Sequence, residues 1–110
     1  MKVKQILERI YVNDMDQTVA FYESLLDEKC SMRFKHKQFH LELVQVGSIL
    51  IICGTDEVLE SFKNTKATFI VDSITEFKDF LLENDVTIMK DVKKTPTGFN
   101  MIVEYVEQQK

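Results

Sequence analysis

No apolar run in this sequence comes near the ~20 residues that a bilayer-spanning helix requires, so a membrane-spanning helix is not expected. The first twelve residues, MKVKQILERIYV, carry lysines but neither a long apolar stretch nor a small-residue cleavage site. A secretory leader is therefore not expected, and the expected compartment is the cytoplasm. Clustered positive charge is scarce. The 14 Lys and Arg are spread along the chain and are outnumbered by 18 Asp and Glu, for a net charge of −4. Counterion release has little to act on, so nucleic acid is not an expected partner. The two cysteines, Cys30 and Cys53, lie in apolar contexts and form no C-x-x-C pair. Buried free thiols are the expectation. Neither histidine neighbours a cysteine in sequence to activate it as a nucleophile. Proline occurs once, at Pro96, and no low-complexity or linker segment divides the chain. One domain over residues 1–110, with a single core, is expected.

What the sequence does contain is a repeat. Residues 10–26 read IYVNDMDQTVAFYESLL, and residues 69–83 read FIVDSITEFKDFLLE. At a spacing of 59 positions Val12 falls on Val71, Met15 on Ile74 and Phe21 on Phe80. Each copy predicts a strand, a polar turn and an amphipathic helix. Asp14, with Gln17 three residues on, and Ser73, with Glu76 three residues on, are capping-box signatures. The first helix should bury Met15, Val19, Tyr22 and Leu26, and the second Ile74, Phe77, Phe80 and Leu81. Further strands are expected at 29–34, 39–46, 49–53, 67–71, 86–92 and 99–106. Gly47-Ser48 should be a hairpin turn, and residues 56–62 one or two helical turns. The continuous apolar run at 49–53 suits a central strand shielded on both faces. A polar tail is expected at 108–110.

The order of these elements, with V-N-D-M-D-x-x-V-A-F-Y-E-x-L-L at 12–26, F-I-V-D-S-I at 69–74, P-x-G at 96–98 and V-E-Y-V-E at 103–107, resembles the vicinal oxygen chelate superfamily. That group includes glyoxalase I, bleomycin-resistance proteins, fosfomycin-resistance enzymes and extradiol dioxygenases. The resemblance implies an α+β fold of paired βαβββ modules, about 1–55 and 64–110, forming a half-open barrel around a cleft, and a homodimer. After Asp85 there is room for two strands where three are expected. Either a strand has been lost or a short segment between Met101 and Glu104 is absent.

In the metal-dependent members, His or Glu ligands come from the first and last strands of each module. The matching positions here are Leu7, Lys66 and the run 49–52, which is aliphatic throughout. Leucine cannot ligate, and a protonated lysine has no lone pair. Only Glu104 keeps an oxygen donor. The resemblance thus implies a scaffold without its usual metal, and no cofactor is expected; a divalent-metal lyase or dioxygenase with an unusual ligand set is the alternative. His36 and His40 lie ~13 Å apart in extended chain and would not chelate together. The run Lys35-His36-Lys37 reads as an anion contact or as a solvated turn.

Strand parity puts Arg9 and Tyr11 on the face of Leu7, and Lys66 and Thr68 on the matching face of the fifth strand. These four are the candidate ligand-binding residues, suited to a small polar or anionic molecule with an apolar portion. Glu104 is the candidate general base. The competing reading pairs Arg9 with Glu104 as an internal ion pair. A third alternative is a non-catalytic protein-interaction module.

Overall fold

The computed structural model describes residues 1–95 and 98–105. Pro96 of the P-x-G turn, Val106 and Glu107 of V-E-Y-V-E, and the expected tail at 108–110 lie outside the described residues. The elements are β1 (Val3–Val12), α1 (Met15–Leu26), β2 (Met32–His36), a 3-10 turn (Lys37–Phe39), β3 (Leu41–Val46), β4 (Ile49–Cys53), α2 (Asp56–Leu59), β5 (Ala67–Val71), α3 (Ile74–Glu83), β6 (Thr87–Thr95) and β7 (Gly98–Glu104). This is an α+β fold with a five-stranded sheet in the order β2-β3-β4-β1-β5 and a β6-β7 pair. The first module is a full βαβββ. The second contributes β5, α3, β6 and β7, so two strands follow its helix among the described residues. Two compact units are formed, Gln5–Ile70 and Met1–Lys4 with Val71–Lys110.

In the Gln5–Ile70 unit, β4 pairs with β1 in parallel, from Glu8 opposite Ile49 to Val12 opposite Cys53. It pairs with β3 antiparallel, from Glu42 opposite Cys53 to Val46 opposite Ile49. Val46 and Ile49 flank a two-residue turn in which Gly47 takes φ +57°, and a Cβ there would lie 2.8 Å from Glu28 Oε2. A side chain at that position would be both strained and crowded.

Alternation along the strands sorts the core into two layers. Leu7, Leu41, Leu50 and Ile52 face one side and are covered by Leu59 of α2, with Tyr11, Phe39 and Phe62 packed around them. Val44, Val46 and Ile51 face the other side and are covered by Met15 and Val19 of α1, with Val12 and Tyr22 at the margin. Ile51 and Ile52 are both wholly shielded from solvent. No polar or charged residue is fully buried among the described residues.

Both helix starts are capped as their sequences predict. The Asp14 carboxylate accepts from Gln17 N–H at 3.0 Å, and the Ser73 hydroxyl accepts from Glu76 N–H at 3.3 Å. The buried stripe of α1 is shorter than its periodicity suggests, for Leu26 is exposed. The helix ends at that residue and Asp27 turns left-handed at φ 52°. Phe21 is also exposed, with its ring edge-on to Tyr22 at 5.1 Å. Cys30 and Cys53 are free, as expected, but half-buried.

The strand predicted at 29–34 begins later, at Met32, and the 3-10 turn takes residues assigned to extended chain. The cause is pairing: His36 lies opposite Leu41, which forces the chain to reverse within residues 37–40. His40 completes that reversal with φ 56°.

In the second unit, Asp72 and Lys2 exchange contacts: Asp72 N–H donates to Lys2 O at 3.1 Å, and Lys2 N–H to Asp72 Oδ1 at 2.9 Å. Helix α3 packs against β6, and Lys78 Nζ meets Asp91 Oδ1 at 2.7 Å. Ile74, Phe77 and Leu81 are half-buried, whereas Phe80 is exposed. Register shifts interrupt the β6-β7 ladder between Ile88 and Lys93.

Shielding of β4 on both faces predicts that Ile51→Ala lowers unfolding stability by about 2–5 kcal/mol, the cost of a core cavity. Ile6→Ala, at an exposed position of β1, should cost about 0.5 kcal/mol or less. Urea unfolding of the two variants, read at unchanged m-value, checks this ordering.

Candidate functional site

Strand β1 supplies the first two candidate residues; Thr68 lies in its neighbour β5, and Lys66 immediately precedes that strand. Arg9 N–H donates to Lys66 O at 3.3 Å, which sets Arg9 beside the residue that leads into β5. Arg9, Tyr11 and Thr68 are half-buried, and Lys66 is exposed. Glu104 is exposed at the end of β7, opposite Thr87, and belongs to the other unit. Four of the five residues singled out from sequence therefore share the Gln5–Ile70 unit.

Arg9 is the chemically unusual group. Its Nε is shielded from solvent and has no hydrogen-bond partner. No ion pair to it occurs among the described residues. The guanidinium carbon lies 5.5 Å from the centroid of the Tyr11 ring, within cation–π range. Burial pushes the guanidinium below its ordinary pKa, and the neighbouring Tyr11 partly opposes this. Arginine nevertheless stays charged at neutral pH. A shielded donor without an acceptor is costly, and an anion would remove that cost.

Tyr11 is less free than its position in sequence suggests. Its hydroxyl donates to Thr65 O at 2.6 Å, tying β1 to the segment that enters β5. The phenol can still offer its ring and an acceptor lone pair. Burial raises its pKa, while Arg9 pulls the other way.

Of the positions that the resemblance matches to metal ligands, Leu7 and two residues of the 49–52 run lie in the apolar layer, whereas Lys66 and Glu104 are exposed. Leu7, Leu50 and Ile52 pack together beneath Leu59. Such a surface has no lone pair to offer a cation. Among the described residues no group of three or more His, Cys, Asp or Glu could hold a metal ion. His36 packs its ring on Phe34 at 5.9 Å and on Phe39 at 4.7 Å. The thiol of Cys53 is pushed up, first by burial and then by the nearby Glu42 charge, which keeps it protonated and poorly nucleophilic.

The architecture is that of the vicinal oxygen chelate fold, as comparison with solved structures shows. Methylmalonyl-CoA epimerase from Streptomyces coelicolor, as a variant in complex with 2-nitronate-propionyl-CoA, superposes with a TM-score of 0.65 at 14% identity, over 92% of this chain and 86% of that one. A hypothetical protein from Bacillus halodurans superposes with a TM-score of 0.62 at 16% identity, over 99% of this chain and 97% of that one. A crystal structure of an uncharacterized protein from Methanosarcina mazei is much nearer, with a TM-score of 0.88 and 48% identity over 94% of this chain and 84% of that one. The chain belongs to the same family as that Methanosarcina mazei protein. No protein-family model matches the sequence, and no curated protein matches it.

The Tyr11 hydroxyl predicts an alkaline limit to stability. Its pKa is higher folded than unfolded, so the folded state holds this proton more tightly. That contribution is complete below the unfolded value of about 10 and is lost as pH rises through the folded value. Tyr11→Phe should lose about 1 kcal/mol at neutral pH. The gap to the wild type should narrow above pH about 10, as seen by denaturant unfolding across pH.

Proposed function

We propose that the protein binds a small anionic ligand, without a metal, on the β1-β5 face that carries Arg9, Tyr11, Lys66 and Thr68. The observation that carries this reading is the shielded Arg9 Nε, which lacks an acceptor. Arginine presents five donors in a planar fork suited to a carboxylate or phosphate. Lys66, its backbone partner just before β5, adds charge at the solvent side, and the Tyr11 ring adds an apolar wall. Binding rather than turnover is the proposed activity, as in the bleomycin-resistance-like members of the superfamily. Exposed Glu104 has no role in it. A homodimer in the cytoplasm is part of the same proposal.

The aliphatic cluster of Leu7, Leu50 and Ile52 speaks against a metal-dependent lyase or dioxygenase, because those positions would have to donate to the ion. Titration with Zn, Ni, Mn and Fe tests this directly. Stoichiometric tight binding on this face would overturn the metal-free reading.

The same arginine predicts opposite effects on binding and stability. Arg9→Met should weaken binding of a carboxylate probe such as benzoate by roughly tenfold or more. It should leave the unliganded protein as stable as before, or up to about 1 kcal/mol more stable, because a charge held away from water is replaced by an apolar chain. Calorimetric titration and urea unfolding of the two proteins decide the matter. Unchanged benzoate binding, or a large loss of stability, would count against the assignment of Arg9 to a ligand.

A further inference from the structure

We propose that Gln45, held in place by Gln5, selects the ligand at the Arg9 site. The ligand would be a carboxylic acid whose apolar portion carries a hydroxyl or N–H donor. This inference rests on the assignment of Arg9 to an anion and extends that site across the sheet.

Residues paired across a ladder share a face of the sheet. Arg9 lies opposite Leu50, and Leu50 lies opposite Gln45. The three therefore form one row across β1, β4 and β3, with Leu50 in the middle. Gln5 lies on the same face of β1, four residues before Arg9 with Leu7 between them. All five residues belong to the Gln5–Ile70 unit. Arg9, Gln5 and Gln45 are half-buried, whereas Leu7 and Leu50 are buried. The row is thus polar at both ends and apolar in the middle, as a site for a small amphiphilic molecule should be.

The two amides hold each other. Gln45 Nε2 donates to Gln5 Oε1 at 3.3 Å and to Gly47 O at 3.0 Å. Gln5 Nε2 also donates to Gly47 O, at 3.3 Å. With both of its N–H groups engaged, the Gln45 amide is fixed, and so is the direction of its Oε1. No donor reaches that oxygen among the described residues. Arg9 has the opposite deficit, a donor without an acceptor. The two groups would satisfy each other, yet no bond joins them among the described residues. Strand spacing explains this: β4 separates their strands, so their backbones stand about 10 Å apart. A ligand that bridges them needs an acceptor at one end and a donor at the other. The span calls for a ring or short chain between the two, lying over Leu50. Gln45 would touch the ligand, and Gln5 is a positioning residue that acts through Gln45.

The test is calorimetric titration of the full chain with benzoate, with meta- and para-hydroxybenzoate, and with the matching fluorobenzoates. Fluorine is close to a hydroxyl in size but donates nothing. One hydroxybenzoate should bind roughly fivefold tighter than its fluoro counterpart, the worth of one net hydrogen bond. Gln45→Met should abolish that advantage and leave benzoate affinity within about twofold. Gln5→Met should reduce the advantage without abolishing benzoate binding, which a purely structural role would not do selectively. Gln38→Met, an exposed glutamine at the other end of the β2-β3 pair, should behave like the wild type. Benzoate that binds while neither hydroxyl adds affinity would sink the Gln45 assignment and leave the Arg9 reading intact. Absence of benzoate binding would overturn both. A Gln45→Met protein that loses benzoate and hydroxybenzoate alike, or a Gln38→Met protein that loses the advantage, would also overturn the selection by Gln45.

Discussion

Strand β4 must be dry on both sides. Ile51 and Ile52 are adjacent in sequence and point in opposite directions, yet water reaches neither. A strand of that kind cannot lie on a surface. It requires a neighbour on each edge, which β1 and β3 provide, and a cover on each face, which α1 and the α2 segment provide. Burying apolar surface at about 25 cal/mol per Å² is the driving force, and the polar backbone follows because the ladder satisfies it. The turn at Gly47, the crossover through α1 and the placement of Leu59 are all consequences of enclosing five apolar residues.

That requirement also shapes the chemistry. The face that carries Leu7, Leu50 and Ile52 is a continuation of the core. Leu7, Leu50 and Ile52 could not be exchanged for histidine or glutamate without placing polar groups in an apolar layer. Beyond the edge of this layer the same strand carries Arg9, where shielding is incomplete and a charge survives. The electrostatic tension of the unit therefore gathers at one guanidinium. That arginine lies beside an aromatic ring, with its Nε shielded and without a hydrogen-bond partner.

Much of this was legible along the chain. The caps at Asp14 and Ser73 depend on contacts within one helical turn, and both appear as read. β4 and β5 begin and end at the predicted residues, because their runs are bounded by Gly and polar turns. The parity of β1 correctly placed Leu7 and Tyr11 on one face and Val12 on the other. Other features were not legible. Phe21 and Phe80 have the spacing of core residues but are exposed, because periodicity reports a face and not what covers it. The start of β2 at Met32 and the tight reversal at 37–40 follow from pairing with β3, which no local propensity announces. The hydroxyl of Tyr11 is taken up by a carbonyl 54 residues away.

By itself the sequence determined the repeat, the two helix starts, the apolar identity of β4 and the loss of donor atoms at Leu7 and Lys66. Each is a property of residue type at a given spacing, and folding does not change it. Only the tertiary structure decided which of the remaining polar groups would be satisfied. Glu42 found Arg33, Tyr11 found Thr65, and the Nε of Arg9 found no acceptor among the described residues. Satisfaction of a polar group depends on partners brought close from distant parts of the chain and on the exclusion of water around them. Neither is encoded at any single position.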